Sequence, residues 1–371
     1  MSRTLFVLGA GASAHSGTPL MNNFLEIAQG LWRRGEVEEA KEDFKRVFDA
    51  VAFLQSVRSY ARLDTFNIEI VYAAFEMGKT LDRFPGFEQI ALEGGTPTIR
   101  PQMDQLISSL KKVIGYTLER TTKLFHDAKD VVSPPHAYGM FVEQVRQLMT
   151  DQRAVSIITF NYDLGLDYAL YRSNILMDYA LSDINPRGMY LPYLKLHGSL
   201  NWRQCIKCQQ VTSNQQFNDP YSTNKDYSTI PAIAHLRKMT CSKCGERAAG
   251  EDPFIVPPTW NKTAYHTSIE RVWKRAAIEL SDAENVIVLG YSLPSTDLFF
   301  NYLFALGIGP RTFVKRFYVY NPDDSLNVQQ RFRDLLGSGV IERFKYNRTS
   351  FEAAVDTGQL RNVIHEIIKA G

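Results

Sequence analysis

Five short apolar runs, separated by stretches of helical spacing, constrain the fold of this chain more than any other feature. The runs are Thr4–Leu8, Val155–Thr159, Leu191–Leu196, Asn285–Leu289 and Arg316–Tyr320. Unbroken apolar runs of this length are typical of strands that are buried on both faces. When such strands alternate with helices, they form a parallel sheet whose ligand crevice lies at the carboxyl ends of the strands. The sequence therefore predicts an α/β fold with a parallel sheet.

Two insertions interrupt the strand pattern. Between residues 35 and 150 apolar residues recur at helical spacing in Val37–Val57, Met103–Asp127 and His136–Met149, and the Gly- and Pro-rich stretch 83–102 is predicted to be a loop. A second insertion contains all four cysteines. We therefore predict three units: a sheet domain formed by residues 1–34, 151–200 and 252–371, a helical insertion over 35–150, and a small metal-binding module over 201–251.

Charge and hydropathy exclude several classes of protein. The 42 basic and 40 acidic residues nearly cancel, so the chain has no net field that would favour direct binding to nucleic acid or to an anionic membrane. No apolar run approaches the roughly 18–20 residues that span a bilayer. The first residues do not resemble a signal peptide, because their apolar stretch is too short and too rich in glycine. We expect a cytoplasmic protein.

A glycine-rich motif directly follows the first apolar run. Gly9, Ala10, Gly11, Ala12, Ser13 and Ala14 form a G-x-G-x-x-A pattern ahead of a helix predicted over Met21–Arg33. Such glycines permit a tight turn and a close approach to a pyrophosphate, which predicts a Rossmann-like nucleotide-binding unit. A dehydrogenase would also need an acidic residue about 20 residues further on, at the end of a second strand. Here that region continues as helix, which disfavours hydride transfer; a glycine-rich turn without a ligand is the alternative.

Polar residues also follow the later strands. Asn161 and Asp163 come after the second run, where an amide can hold ribose hydroxyls; an Asx turn or a helix cap is the alternative. His197 follows the third run and can serve as a general base, although a structural histidine is the alternative. Gly290 and Ser292, together with Asn321, close the last two runs and either line the second half of a nucleotide site or form plain turns.

The four cysteines form two Cys-x-x-Cys pairs, Cys205 with Cys208 and Cys241 with Cys244. Four thiolates suit a tetrahedral zinc ion with no open position, which makes the predicted role structural. Their clustering argues against a disulfide framework. Two redox-active pairs are the alternative, but nothing in the sequence activates these thiols.

Taken in order, these motifs resemble the sirtuin family. The shared features are Gly9-Ala10-Gly11-Ala12-Ser13 with Gly17-Thr18-Pro19, Thr159-Phe160-Asn161-Tyr162-Asp163, His197-Gly198, the four cysteines, Gly290-Tyr291-Ser292 and Asn321. The resemblance implies that NAD is the ligand and zinc the bound metal. It implies roles for individual residues: Gly9, Ala10, Gly11 and Ser13 at the phosphates, Asn161 at the nicotinamide ribose, Asp163 at the carboxamide, His197 as the base, and Gly290, Ser292 and Asn321 at the adenosine half.

The chain departs from protein-deacylating sirtuins at two points. Pro19 is followed by Leu20-Met21-Asn22 instead of Asp-Phe-Arg, and the peptide-pairing segment after the cysteines is replaced by residues 253–260, which include Pro257 and Pro258. Prolines cannot donate hydrogen bonds to an added peptide strand. With the helical insertion, these departures resemble the sirtuin-like NAD hydrolases of bacterial antiphage defence. That resemblance implies a homo-oligomer that acts with a HerA-type ATPase or, as the alternative, with a short Argonaute.

The reaction implied is hydrolysis of the bond between nicotinamide and ribose, with Asn161 and His197 as catalytic residues and water as the acceptor. Phe24, which follows Pro19, is a candidate to shield the ribosyl cation. NAD-dependent protein deacylation is the enzymatic alternative. A module that senses NAD or ADP-ribose without turnover is the non-enzymatic one.

Overall fold

The computed structural model describes residues 3–56, 63–90, 96–126, 131–182, 188–217, 220–222, 227–247, 252–256, 266–294, 297–308 and 313–370. Its strands are β1 (Arg3–Leu8), β2 (Leu124–His126), β3 (Val132–Ser133), β4 (Ala154–Thr159), β5 (Met177–Asp178), β6 (Leu191–Lys195), β7 (Gly198–Ser199), β8 (Trp202–Gln204), β9 (Val211–Ser213), β10 (Tyr221–Ser222), β11 (Tyr227–Thr229), β12 (Phe254–Ile255), β13 (Asn285–Leu289), β14 (Arg316–Tyr320) and β15 (Phe344–Asn347).

Its helices are α1 (Phe24–Arg33), α2 (Lys41–Ser56), α3 (Ile68–Leu81), α4 (Arg100–Thr121), α5 (His136–Thr150), α6 (Gly165–Arg172), α7 (Ala232–Leu236), α8 (His266–Ser281), α9 (Leu298–Gly307), α10 (Asn327–Leu335), α11 (Ser338–Ile341), α12 (Phe351–Asp356) and α13 (Gln359–Lys369). Short 3₁₀ turns cover Ala10–Ala12, Ala14–Ser16 and Glu38–Ala40. Among the described residues, no helix combines the length and the apolar character that crossing a bilayer requires.

Seven strands form the main sheet, in the order β15-β14-β13-β1-β4-β6-β5, and every neighbouring pair is parallel. The first strand of the chain therefore lies at the centre, with Leu8 level with Leu289 on one side and with Thr159 on the other. From Leu5 to Leu8 the side chains of β1 are inaccessible to solvent, as expected for a strand covered on both faces. The predicted α/β class with a parallel sheet is confirmed.

Helices pack around this sheet and around one another. On the sheet, α5 contacts β4 and also packs on α6, α12 and α13, and α8 contacts β6 and α9. The long helix α4 is the centre of a second group, in which it contacts α1, α2, α3 and α7. The division of the chain into units at residues 34/35, 150/151, 200/201 and 251/252 stays a prediction.

All five predicted strands occur in the main sheet, but several helix boundaries differ from the sequence prediction. The helix expected over Met21–Arg33 begins only at Phe24, because Leu20–Asn23 form a turn in which the Asn23 side chain accepts from the Leu20 N–H (2.8 Å). The helix expected over Met103–Asp127 ends at Thr121. There the Lys123 N–H donates to Ser16 O (2.9 Å), and β2 then pairs with β11, a partner about a hundred residues away.

Other elements were not predicted, among them strand β15 and helix α3. Strand β15 adds to the edge of the sheet beside β14. Helix α3 begins after Asn67, whose side chain accepts a hydrogen bond from the Glu69 N–H (2.9 Å) and caps the helix. Of the predicted segments, residue 57, part of 83–102, residue 127 and residues 257–260 lie outside the described residues.

Candidate active site

A cleft of about 700 Å³ opens at the carboxyl edge of the central strands. The loops that follow β1, β4, β6, β13 and β14 all contribute to its walls. Of the residues singled out from the sequence, those that line it are Ala10, Gly11, Asn161, Asp163, His197, Gly290, Ser292 and Asn321. Phe24 lines it as well, whereas Gly9 and Ser13 do not. A volume of this size is typical of sites that hold a cofactor-sized ligand.

The glycines of the first motif allow two loops to touch. The Gly9 N–H donates to Leu289 O (3.1 Å) and the Gly11 N–H donates to Gly290 O (2.9 Å). Gly290 has a φ of +61°, and a Cβ at this position would lie 2.3 Å from the Ala12 nitrogen. The Ala12 and Ser13 amides also donate within the turn. Three of the four residues expected at a phosphate, Gly9, Gly11 and Ser13, therefore already have acceptors in the protein for their amides, and close loop packing accounts for the glycines.

Ser13 lies beneath the cleft at the centre of a buried polar cluster. Its hydroxyl donates to Asp163 Oδ2 (2.6 Å), accepts from Asn161 Nδ2 (2.9 Å) and lies 2.7 Å from the Tyr138 hydroxyl. Ser13 is fully buried. Its side chain therefore orients Asn161 and Asp163 from behind.

Asn161 presents an acceptor to the cleft. Its Nδ2 group donates to Gly9 O (3.0 Å) and to Ser13 Oγ, which uses both amide hydrogens. Since a backbone carbonyl can only accept, this contact fixes which end of the amide faces Gly9. Among the described residues, the buried Oδ1 atom has no hydrogen-bond partner. Buried acceptors are normally satisfied, so Oδ1 is suited to a hydroxyl donor of a bound ligand.

Asp163 is held on both carboxylate oxygens. Oδ2 accepts from Ser13, and Oδ1 accepts from the Gly165 N–H (3.0 Å), which is the Asx turn considered as the structural alternative. Burial raises the pKa of Asp163, while the nearby Lys195 ammonium and the Ser13 hydrogen bond oppose that increase.

Lys195, which the sequence analysis did not single out, supports this cluster from the end of β6. Its ammonium is inaccessible to solvent and donates to Asp163 O (2.8 Å) and to Asp167 Oδ2 (3.0 Å). Tyr179 and Tyr193 donate to the same Asp167 carboxylate. A lysine at the end of an otherwise apolar run was the available signal, because a charge at such a position needs a buried partner.

His197 follows β6, the strand beside β4, and is buried where it lines the cleft. Its ring meets the Phe160 ring edge-on with centroids 5.1 Å apart, and Phe160 in turn stacks on Tyr291 at 4.1 Å. Nε2 of His197 lies 3.6 Å from Oδ2 of Asp297. The Tyr291 hydroxyl donates to the same carboxylate oxygen (2.8 Å). Tyr291 and Asp297 were not singled out from the sequence, because their proximity to His197 depends on loop geometry.

Asn321 links the loops at the far end of the cleft. Its Nδ2 group donates to Tyr291 O (3.3 Å), and its Oδ1 accepts from the Asp323 N–H (3.0 Å) in an Asx turn. Asp323 accepts from the Val328 N–H (3.0 Å) at the start of α10. Hydrogen bonds from Ser325 and from the Val328 N–H lower the pKa of Asp323. The turn that was the structural alternative for Asn321 is thus present, and its side chain also lines the cleft.

The four cysteines come together away from the cleft. Their Sγ atoms all lie within 4.8 Å of one another, with Cys205 and Cys244 at 3.6 Å and Cys208 and Cys241 at 3.5 Å. In each pair the N–H four residues after the first cysteine donates back to that cysteine's carbonyl, from Gln209 and from Gly245 (2.9 Å each). Although burial opposes ionisation, N–H groups of Cys244 and Lys243 lower the pKa of Cys241 to about 6. This donor set fits a tetrahedral metal ion.

The sheet and the site define an α/β protein with a ligand-sized cleft at the carboxyl edge of a parallel sheet and a separate cluster of four thiols. No protein-family model matches the sequence, and no curated protein matches it.

Solved structures with a similar fold include a mutant of a Sir2 homologue in complex with ADP-ribose, at 17% identity, with 100% of this chain and 94% of that chain covered and a TM-score of 0.42. A Sir2 homolog in complex with NAD is similar at 17% identity over 99% of this chain and 90% of that chain, with a TM-score of 0.39. Sir2Tm bound to a propionylated peptide is similar at 13% identity over 97% and 93%, with a TM-score of 0.38.

Proposed function

We propose that this chain binds NAD⁺ in the cleft and hydrolyses the bond between nicotinamide and ribose, giving nicotinamide and ADP-ribose. The observation that carries the proposal is the arrangement of Asn161 and His197 in one cleft. The buried Oδ1 of Asn161 lacks a donor among the described residues, and the His197 imidazole lines the same cleft, 5.1 Å from the ring of Phe160, which precedes Asn161. An acceptor and a base in one cleft suit a ribose that carries hydroxyl groups.

The mechanism assigns one task to each residue. Asn161 accepts a hydrogen bond from a ribose hydroxyl and so holds the sugar with its C1′ atom accessible. The C1′–N bond breaks with its electron pair going to the ring nitrogen, so nicotinamide leaves as a neutral molecule. Water adds to C1′ of the resulting cation, and His197 takes up the proton that this water or a ribose hydroxyl loses.

Water is the proposed acceptor because two prolines follow the strand that would hold a peptide. The β12 strand pairs antiparallel with β7, and the Val256 N–H donates to His197 O (2.8 Å). Pro257 and Pro258 follow in the sequence and have no N–H to donate. These features support hydrolysis over transfer to an acylated peptide.

The four cysteines are proposed to hold a structural zinc ion, which would fasten the two Cys-x-x-Cys turns together. All four thiolates would be ligands and no position would remain for water, so the metal would take no part in the reaction.

The biological setting proposed from the sequence resemblance is antiphage defence in the cytoplasm. In that setting a homo-oligomer of this chain, with a HerA-type ATPase, depletes NAD⁺ when it is triggered. We expect phage-infected cells expressing the chain and its partner to lose NAD⁺, and cells carrying Asn161→Ala to keep it. An equal loss in both would contradict the setting.

The reaction is tested with purified protein and NAD⁺, alone and with the ATPase, by quantifying nicotinamide and ADP-ribose by mass spectrometry. Asn161→Ala and His197→Ala are expected to reduce nicotinamide release by about 100-fold or more. The matched controls Asn362→Ala and His365→Ala change exposed residues of α13 and should retain activity. Release that requires an acylated peptide would indicate a deacylase, and saturable binding without turnover would indicate a sensor; either result would overturn the proposal.

A further inference from the structure

Asp297 occupies a helix cap without capping its helix. It immediately precedes α9, where an aspartate side chain usually accepts hydrogen bonds from the first free N–H groups. The Asp297 side chain makes no such bond, and the Phe300 N–H donates to the backbone carbonyl of Asp297 (3.2 Å). The usual structural reason for an aspartate at this position is therefore missing.

The carboxylate is instead directed into the cleft. Asp297 is 1% exposed and lines the cleft wall beside His197. One of its oxygens, Oδ2, accepts from the Tyr291 hydroxyl at 2.8 Å and lies 3.6 Å from Nε2 of His197. The second distance is longer than a hydrogen bond but within the range of an ion pair once the imidazole is protonated.

The surroundings keep this carboxylate and the imidazole in place. The backbone beside His197 is held by the Trp273 indole N–H, which donates to Leu196 O (3.1 Å), and by the Val256 N–H, which donates to His197 O. Phe160 packs edge-on against the imidazole. Burial raises the pKa of Tyr291 well above its usual value, and the adjacent Asp297 carboxylate adds to the increase, so Tyr291 remains a donor to Asp297 at neutral pH.

We propose that Asp297 is a positioning residue that holds the His197 imidazole and stabilises the imidazolium formed when His197 takes up a proton. The inference rests on the proposed role of His197 as the base. A carboxylate beside a buried imidazole favours its charged form and so strengthens it as a proton acceptor. Asp297 acts through His197 and does not itself exchange a proton with the substrate.

Other ionisable groups line the same cleft and belong in the test. They are Glu69 from α3, Tyr162 and Asp163 after β4, Tyr291 after β13 and Asp323 after β14. The Tyr162 ring lies 6.1 Å from the imidazole. Asp163 has both carboxylate oxygens engaged by Ser13 and Gly165. Among the described residues that line the cleft, Asp297 has its carboxylate 3.6 Å from Nε2, within ion-pair distance.

The first experiment measures the pKa of His197 by NMR of protein carrying ¹³C-labelled histidine, with the resonance assigned from His197→Gln. Asp297→Asn keeps the shape of the side chain and removes its charge, and it is expected to lower the pKa of His197 by roughly one unit. Asp334→Asn, at an exposed position on α10, is the control and should leave that pKa unchanged. An unchanged His197 pKa in folded Asp297→Asn would overturn the inference.

A second variant keeps the inference testable if Asp297→Asn does not fold. Tyr291→Phe retains the carboxylate but removes the donor that shares its charge, so the pKa of His197 should rise. A fall or no change would contradict the inference.

Kinetics give an independent readout. In Asp297→Asn the acid limb of the kcat–pH profile for nicotinamide release should move down by roughly one pH unit while KM for NAD⁺ changes less than about threefold. Asp297→Glu should restore much of the wild-type profile. The NMR titration needs no turnover. If the wild-type protein releases no nicotinamide, the proposed function is refuted, and the titration still decides whether Asp297 pairs with His197.

Discussion

His15 is a titratable side chain enclosed by aromatic rings close to the cleft. It follows the glycine motif, and its ring lies 4.8 Å from the Tyr138 ring and 5.5 Å from the Phe351 ring. Burial lowers its pKa from 6.5 to about 4, although a backbone contact with Ala12 and the charge of Asp356 act in the opposite direction. The neutral form of His15 is therefore favoured in the folded protein.

This shift predicts a pH dependence of stability. Between pH 6.5 and about 4 the unfolded chain binds a proton at His15 and the folded protein does not, so stability falls as the pH falls through that window. From pH 7 to pH 4.5 the wild type should lose about 2 kcal/mol more of its unfolding free energy than His15→Gln does. Urea unfolding at the two pH values measures the difference.

The control for that measurement is His365→Gln, at an exposed position of α13, which should lose as much stability as the wild type. A parallel loss in His15→Gln and the wild type would show that His15 does not account for the pH dependence.

Individual residues also show what local sequence can and cannot reveal. Asn161, Asp163 and His197 could be selected because each follows an apolar run, and the structure places them in one cleft. The burial of Ser13 beneath them depends on Tyr138, which is 125 residues away in sequence. Lys195 and Asp297 likewise have partners that become neighbours only in the folded sheet. Local motifs select residues at strand ends, whereas long-range packing decides which of them face a ligand.

The two Cys-x-x-Cys turns form an element whose stability should depend on a metal ion. The first turn connects β8 to β9. The second turn lies further along the chain, after the described residues 209–217, 220–222 and 227–240. Four thiolates this close together would repel one another without a cation. A metal ion held by the four cysteines would join two parts of the chain that also meet through the Lys207–Glu246 ion pair and the contact between the Thr212 and Ser242 hydroxyls.

We expect protein purified under reducing conditions to contain roughly one zinc ion per chain, and Cys205→Ser to contain much less. Removing the metal with a strong chelator should expose residues 202–247 to proteolysis while the main sheet stays folded, as measured by mass mapping of the fragments. Ser242→Ala changes a neighbour of Cys241 that is not a candidate ligand and should retain the metal. Protein without metal and with unchanged protease resistance would contradict a structural zinc site.

Sequence patterns predicted whole elements better than their boundaries. Strands β13 and β14 have the bounds expected from their apolar runs, because a strand buried on both faces is apolar along its whole length. Strand β15 was missed because its residues are mostly half-exposed and it lies at the edge of the sheet. The end of α4 was misplaced because β2 has apolar residues that also fit a helix, and its pairing with β11 is a tertiary contact.

The arrangement of the whole sheet predicts which strand is most strongly protected against local unfolding. Strand β1 has a partner on each side and side chains inaccessible to solvent, whereas β15 is paired on one side and partly exposed. Amides of Leu5–Val7 should therefore exchange hydrogen about 100-fold or more slowly than those of β15. Hydrogen exchange followed by mass spectrometry compares the two strands within one sample. Equal rates would mean that β1 does not belong to the most stable part of the fold.

The central position of β1 has a consequence for the order in which the molecule is made. This strand leaves the ribosome about 150 residues before its neighbour β4 and about 280 residues before β13. The wall of the cleft that contains Gly290, Asp297 and Asn321 is translated later still than β4. A nascent chain therefore has no closed cleft until residues beyond 320 have emerged, so no ligand can be enclosed there while the chain is being synthesised.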